Sequence, residues 1–174
     1  MRLLAFIGLL GIIVAVAAGV YFFGGYYDIS ANKDDPKLVE WMLIKVREAA
    51  IDQRSDIKAP IKLDDPAVIR EGARSFSEHG CVHCHGGPGA EWSKFSEGLN
   101  PGPPDLKDVA KEDTPGHLFW VIKNGIRMTG MPSFAKAGVA ADEIWKIVAF
   151  VKKLPDVSDA DYKTWTSSAP APRQ

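Results

Sequence analysis

Cysteine is nearly absent from this chain. Cys81 and Cys84 are the only two among 174 residues, so a small fold stapled by several disulfides is excluded. An excess of charge of either sign is missing too: Lys+Arg 21 stand against Asp+Glu 22, a net charge of −1. No basic footprint for a nucleic-acid partner exists. Nor does any alternating apolar and polar run reach convincing strand length, so the expected class is all-α. A second Cys/His pair at metal-binding spacing is lacking as well. A structural zinc site of the common four-ligand kind would therefore have only half its ligands.

What the two cysteines do make is Cys81-Val82-His83-Cys84-His85. The spacing Cys-x-x-Cys-His reads as a covalent attachment site for one c-type haem, with thioether bonds to Cys81 and Cys84 and the His85 imidazole within reach of the iron. The competing readings are weaker. His83 and His85 stand too close to the cysteines to complete a good zinc tetrahedron, and a redox dithiol of the thioredoxin kind belongs beside a βαβ pattern that is not present.

Residues 3–23 carry no charged or strongly polar side chain, and about 20 such residues suffice to cross a bilayer as a helix. A cleaved signal is the alternative, with Ala15-Val16-Ala17 resembling a small-residue cleavage site. The apolar run continues past it, beyond the ~7–15 residues of a usual signal core. An uncleaved anchor is expected, with Tyr21, Phe22, Phe23, Tyr26 and Tyr27 as an interfacial aromatic belt and Arg2 on the cytoplasmic side. Everything after Gly24 then lies outside a bacterial inner membrane, on the periplasmic face. The expected division is an anchor over 1–24, an amphipathic helix and linker over 25–63, a compact domain over 64–155, and a short helix and tail over 156–174.

Asp34-Asp35-Pro36 starts a segment in which Leu38, Val39, Met42, Leu43, Val46, Ala49 and Ala50 share one helical face, with Trp41 and Ile44 outside the stripe. Such a helix either packs on the compact domain or covers a membrane surface or partner subunit. Asp64-Asp65-Pro66 opens the next helix, which carries Val68, Ile69, Gly72, Ala73 and Phe76 into Gly80. Residues 86–104 are turn-rich and read as loop. Thr114-Pro115 begins a helix that ends at Asn124-Gly125 with Gly as C′ residue. A helix over 142–154 follows, Ser158-x-x-Asp161 caps a short one, and residues 167–174 read as a frayed tail.

His85 leaves one axial position to fill, and Met42, Met128, Met131, His79, His83 and His117 are the candidates. Gly130-Met131-Pro132 favours Met131, because Gly permits close backbone approach and Pro holds the loop in one shape. Met/His ligation is a recognised haem arrangement.

Cys81-x-x-Cys84-His85, Pro103-Pro104-Asp105-Leu106, Asn124-Gly125, Gly130-Met131-Pro132 and the aromatic last helix together resemble a class I cytochrome c over residues 65–154. The resemblance implies three to five helices, with the first and last crossing near Gly72 and Phe150. It implies that the carbonyl of Pro103 or Pro104 accepts a hydrogen bond from His85 Nδ1, and that Trp120 packs beside the haem unless it is an ordinary core aromatic. Ala140-Ala141 departs from the pattern, standing where a Ser or Thr cap is expected. The function implied is one-electron transfer, with no catalysis by the chain itself. Its partners would be the membrane and redox proteins: a quinol-oxidising complex, a dehydrogenase, or a terminal oxidase or reductase. A permanent subunit of a membrane oxidoreductase is the alternative. A five-coordinate peroxidase or gas sensor would leave Gly130-Met131-Pro132 without a role.

Overall fold

The structure, a computed structural model, describes residues 1–167. It divides into two compact units, Met1–Asp34 and the chain from Asp35 onward. The first is dominated by α1 (Arg2–Phe23), whose mean hydropathy is 2.8 and which buries no residue within the protein. At 1.5 Å per residue it is about 33 Å long, a match to a hydrocarbon layer of ~30 Å. At its end Tyr21, Phe22 and Tyr27 cluster with ring separations of 5.1–6.1 Å, Tyr21 edge to face with the other two.

The second unit is helical throughout; among the described residues the only β-pairing is an isolated bridge between Gly87 and Ala90. It begins with α2 (Lys37–Asp52), for which Pro36 is the N-cap rather than the first helical residue. Helix α3 (Pro66–Glu78) starts where Asp65 accepts a 2.8 Å hydrogen bond from the Ala67 N–H, with Pro66 at the first position. Proline is tolerated there because that N–H has no helical partner anyway. Gly80, at φ +75°, separates α3 from α4 (Cys81–His85). The cysteine motif is therefore a helical turn of its own rather than the fraying end of α3.

Residues 86–104 depart from the expected loop in one place, a 3₁₀ turn at Lys94–Gly98. Helix α5 (Leu106–Glu112) was not anticipated at all; Asp105 caps it through a 2.7 Å bond from Lys107 N–H. Helix α6 (Pro115–Asn124) is capped by Thr114, and α7 (Ala141–Lys153) by Ala140, which contributes no side-chain cap. Asp142 and Glu143 in the first turn of α7 supply the negative charge that the helix dipole favours at that end. Helix α8 (Asp159–Ser167) begins where Ser158 Oγ accepts from the Asp161 N–H at 3.1 Å. Ser167, expected in the tail, is the last residue of α8, and the rest of that tail lies outside the described residues.

The core sits where α3 crosses α7. Ala73 and Phe76 meet Ile147, Val148 and Phe150, all essentially without exposure, and the Phe76 and Phe150 rings are 5.2 Å apart. Gly72 is the closest approach: a Cβ there would stand 1.9 Å from the Lys146 carbonyl oxygen. On the flanks, Trp145 stacks on Phe119 of α6 at 4.1 Å, and Tyr162 of α8 stacks on Phe150 at 5.6 Å. The Lys152 amine donates to the Ala110 and Asp113 carbonyls, tying α5 to α7.

A polar clamp closes one end of the same crossing. Glu143 Oε1 accepts from His79 Nε2 at 2.9 Å and from Ser75 Oγ at 3.0 Å. Partial burial would raise the Glu143 carboxyl, but these two donors outweigh it and hold the group below its ordinary value. A carboxylate depressed in the folded state stabilises the fold above its unfolded pKa, and that stabilisation is lost as pH falls through the folded value. Glu143→Gln is thus expected to cost about 1 kcal/mol near neutrality, the worth of one hydrogen bond. Thermal melts against pH check it: the gap between variant and parent should shrink below about pH 4.

Candidate functional site

The site grows from α4, one turn of helix between two glycines. Cys81 and Cys84 are three apart, the spacing that puts side chains on one side of a helix. Both are half-buried and not bridged to each other. Burial pushes the Cys81 thiol up to about 12. That is the opposite of the lowered thiol that favours disulfide exchange, so the surroundings of Cys81 do not support the redox-dithiol reading.

His85 closes the turn. Its Nδ1 lies 3.2 Å from the Pro104 carbonyl oxygen and donates to it. Burial lowers the imidazole's affinity for a proton, with the Pro104 carbonyl working in the other direction. A ring that is neutral, with Nδ1–H committed to a carbonyl, presents Nε2 as its lone-pair atom. That is the tautomer and orientation a metal ligand requires.

The methionine loop is pinned onto the end of α6. Gly125, at φ +68°, has the main chain of residues 131–133 lying against it, and a Cβ there would come within 2.6–2.8 Å of Pro132 C, Ser133 N and Met131 O. Phe134 N–H donates to the Ile122 carbonyl at 3.2 Å, and Ala135 N–H and Ser133 Oγ donate to that of Lys123 at 3.1 and 2.8 Å. Two of the last α6 carbonyls, those of Ile122 and Lys123, are thus satisfied by this loop. Within it, Ile126 N–H donates to Met131 O at 3.1 Å and Met131 N–H to Thr129 Oγ1 at 3.1 Å. Met131 itself is half-buried against the core cluster. The loop also meets the 99–104 segment that carries Pro104, because Gly130 packs under the Leu99 side chain: a Cβ would be 2.9 Å from Leu99 Cδ1.

The other ligand candidates are engaged or remote. His79 belongs to the Glu143 clamp. His117 lies 3.8 Å from both Asp52 and Asp113, and His83 Nδ1 is 3.2 Å from Ser93 Oγ. Met128 is 91 % exposed at φ +60°, and Met42 is exposed on α2. Trp120 is half-buried on α6 and lies outside the core cluster, where Trp145 takes the buried place. Sequence reasoning missed the role of Gly125 as the bed of the methionine loop; the Asn-Gly signal was there, but only as a helix stop.

Residues 67–151 match the family model described as cytochrome c oxidase, cbb3-type, subunit III. This segment is a monohaem class I cytochrome c domain. The cytochrome c domain carries covalent haem c, for which Cys81 and Cys84 fit the two attachment points, and the chain is an electron-transfer haem protein. The residues present have chemistry that fits such a group: two thiols on one turn, an imidazole whose Nδ1 is committed to a carbonyl, and a thioether on a pinned loop. No curated protein matches the chain. The N-terminal helix α1 fits a single-pass membrane anchor.

Proposed function

We propose that this chain is a tethered one-electron carrier at the periplasmic face of a bacterial inner membrane. Cys81 and Cys84 would hold the haem by thioether bonds, and His85 and Met131 would be the side chains that ligate its iron. The observation that carries the reading is the 3.2 Å bond from His85 Nδ1 to the Pro104 carbonyl, which leaves Nε2 for the metal. The haem supplies Fe(III)/Fe(II) exchange when bound, and thioether ligation raises its potential relative to two imidazoles. With His85 and Met131 both ligating the iron, no open position would remain for a substrate. Trp120, half-buried on α6, is the aromatic we assign beside the ring.

Electrons would arrive from a quinol-oxidising complex or a dehydrogenase and leave to a terminal oxidase or reductase. Residues 1–24 as an anchor would keep the domain of residues 64–155 at high effective concentration near such partners. Redox titration of the full-length holoprotein is expected to give a single one-electron Nernst curve, and membranes containing a terminal oxidase should reoxidise the reduced form rapidly. A reduced protein that such membranes leave untouched overturns the carrier role.

A second reading, a permanent subunit, is favoured by one observation: the matched family model is named for an oxidase subunit. Mild-detergent solubilisation separates the two. A carrier migrates alone, and a subunit co-migrates with its catalytic partner.

A further inference from the structure

Helix α2 is amphipathic in the sense opposite to a core helix. The side turned to α6 carries Ile51, which is buried, with Glu48 and Asp52 lining a groove beside His117. Ile44, half-buried, lies on that same side about two turns before Ile51. The opposite side carries Leu38, Met42 and Val46 in four-residue steps, a single row along the helix. They are 68, 52 and 67 % exposed, with Leu43 and Trp41 flanking them at 55 and 57 %. Leu38, Met42, Leu43 and Val46 of the apolar stripe thus stay exposed, whereas Val39 and Ala50 of the same stripe, and Ile44 outside it, are half-buried.

We propose that this row docks on the lipid bilayer surface, with α2 lying in the interface and its apolar side among the acyl chains. The proposal rests on the reading of α1 as a membrane anchor. Only the thirteen residues Gly24 to Pro36 separate the end of α1 from the start of α2, a reach of at most about 45 Å fully extended. As a flexible chain the same length averages roughly 20 Å end to end. The apolar row never leaves the neighbourhood of lipid, so a modest affinity suffices.

The chemistry of the row's borders suits an interface. Trp41 is of the type that settles at headgroup level. Lys37 is exposed, and its long stem lets the amine reach phosphates while the methylenes stay near the helix surface; Lys45 is paired with Glu48 at 2.8 Å. Acidic and basic residues are mixed on the rest of the helix, so the docking is apolar in origin and insensitive to salt. A second copy would have to meet this row through its own α2, because outside α2 the large exposed apolar side chains in residues 35–167 are Trp92, Phe95 and Met128, and none lies on an α-helix.

The test uses the full-length holoprotein in nanodiscs of phosphatidylcholine and phosphatidylglycerol. Cys81 and Cys84 are consumed by the haem, so Met42→Cys introduces the only reactive thiol for a nitroxide label. Ile13→Cys reports on the anchor, and Ala137→Cys on an exposed position of the domain. The expected result is a ratio of oxygen to water-soluble nickel accessibility at position 42 that is severalfold above that at 137 and unchanged by added salt. A lipid-like label at 13 with position 42 no different from 137 overturns the docking and leaves the anchor standing. A water-accessible label at 13 overturns the anchor reading and the docking together. Shielding from both reagents with dipolar coupling between labels assigns the row to a second copy. Shielding found only in native membranes assigns it to a partner protein. Either of these also overturns lipid docking.

Discussion

Replacing Gly72 with alanine is expected to lower the Tm of the holoprotein by more than about 10 °C, with no change to any haem ligand. The added Cβ would sit 1.9 Å from the Lys146 carbonyl oxygen, 2.5 Å from its carbon and 3.1 Å from Phe150 Cβ. All of these belong to main chain or to the first side-chain carbon, so no rotamer change relieves the contact and the helices must separate. Overpacking a dense interior costs about 1–3 kcal/mol where side chains can shift, and this site belongs at or above the upper end. The gain of up to about 1 kcal/mol from alanine's better helix propensity does not offset it. For a domain of this size each kcal/mol moves Tm by roughly 4–8 °C. The Glu71–Lys146 pair at 2.8 Å and the Phe76–Phe150 contact cross the same interface and would be strained together. Gly98→Ala is the control, since a Cβ there meets nothing within 4 Å. Circular-dichroism melts of both variants decide the matter. An unchanged Tm for Gly72→Ala would mean that α3 and α7 do not cross at this glycine.

That crossing was legible before any coordinates because two kinds of signal agreed. The apolar periods of residues 68–76 and 144–151 each define a buried face, and the family resemblance named Gly72 and Phe150 as the meeting point. Two other features escaped for physical reasons. Helix α5 is seven residues long, too short for a period of 3.6 to repeat convincingly, and it is held from outside by Lys152 reaching its last carbonyls. Helix α2 shows the complementary limit. Periodicity finds an apolar stripe but cannot say which side a neighbour covers, and here Ile51 is buried while Leu38, Met42, Leu43 and Val46 of the stripe stay exposed. At the site, ligand types and spacing were readable from Cys81-x-x-Cys84-His85. The choice of Pro104 over Pro103 as the acceptor for His85 depends on how the 99–104 segment folds back onto α4, a tertiary fact that no local pattern carries.

Met131→Ala is expected to abolish the far-red band of the ferric protein and lower its reduction potential by something on the order of 0.1 V. Axial ligation commands a span of about 0.8 V across haem proteins, and thioether donors lie toward its high end. The variant is informative because the loop does not depend on the side chain it loses. Ile126 N–H still donates to the residue 131 carbonyl, Thr129 Oγ1 still accepts from its N–H, and Gly125 still supports residues 131–133. The loop stays in place and only sulfur leaves. No neighbour is poised to substitute: Met128 is 91 % exposed at a positive φ, and His79 is held by Glu143 across the α3–α7 crossing. His117 stands among Asp52 and Asp113 on the far side of α6's first turn. The measurement therefore separates a lost ligand from a lost fold, since helical content and melting should stay close to the parent while the band and the potential change together. A variant that keeps both would remove Met131 from the iron, and with it the argument that both axial positions are closed to substrate.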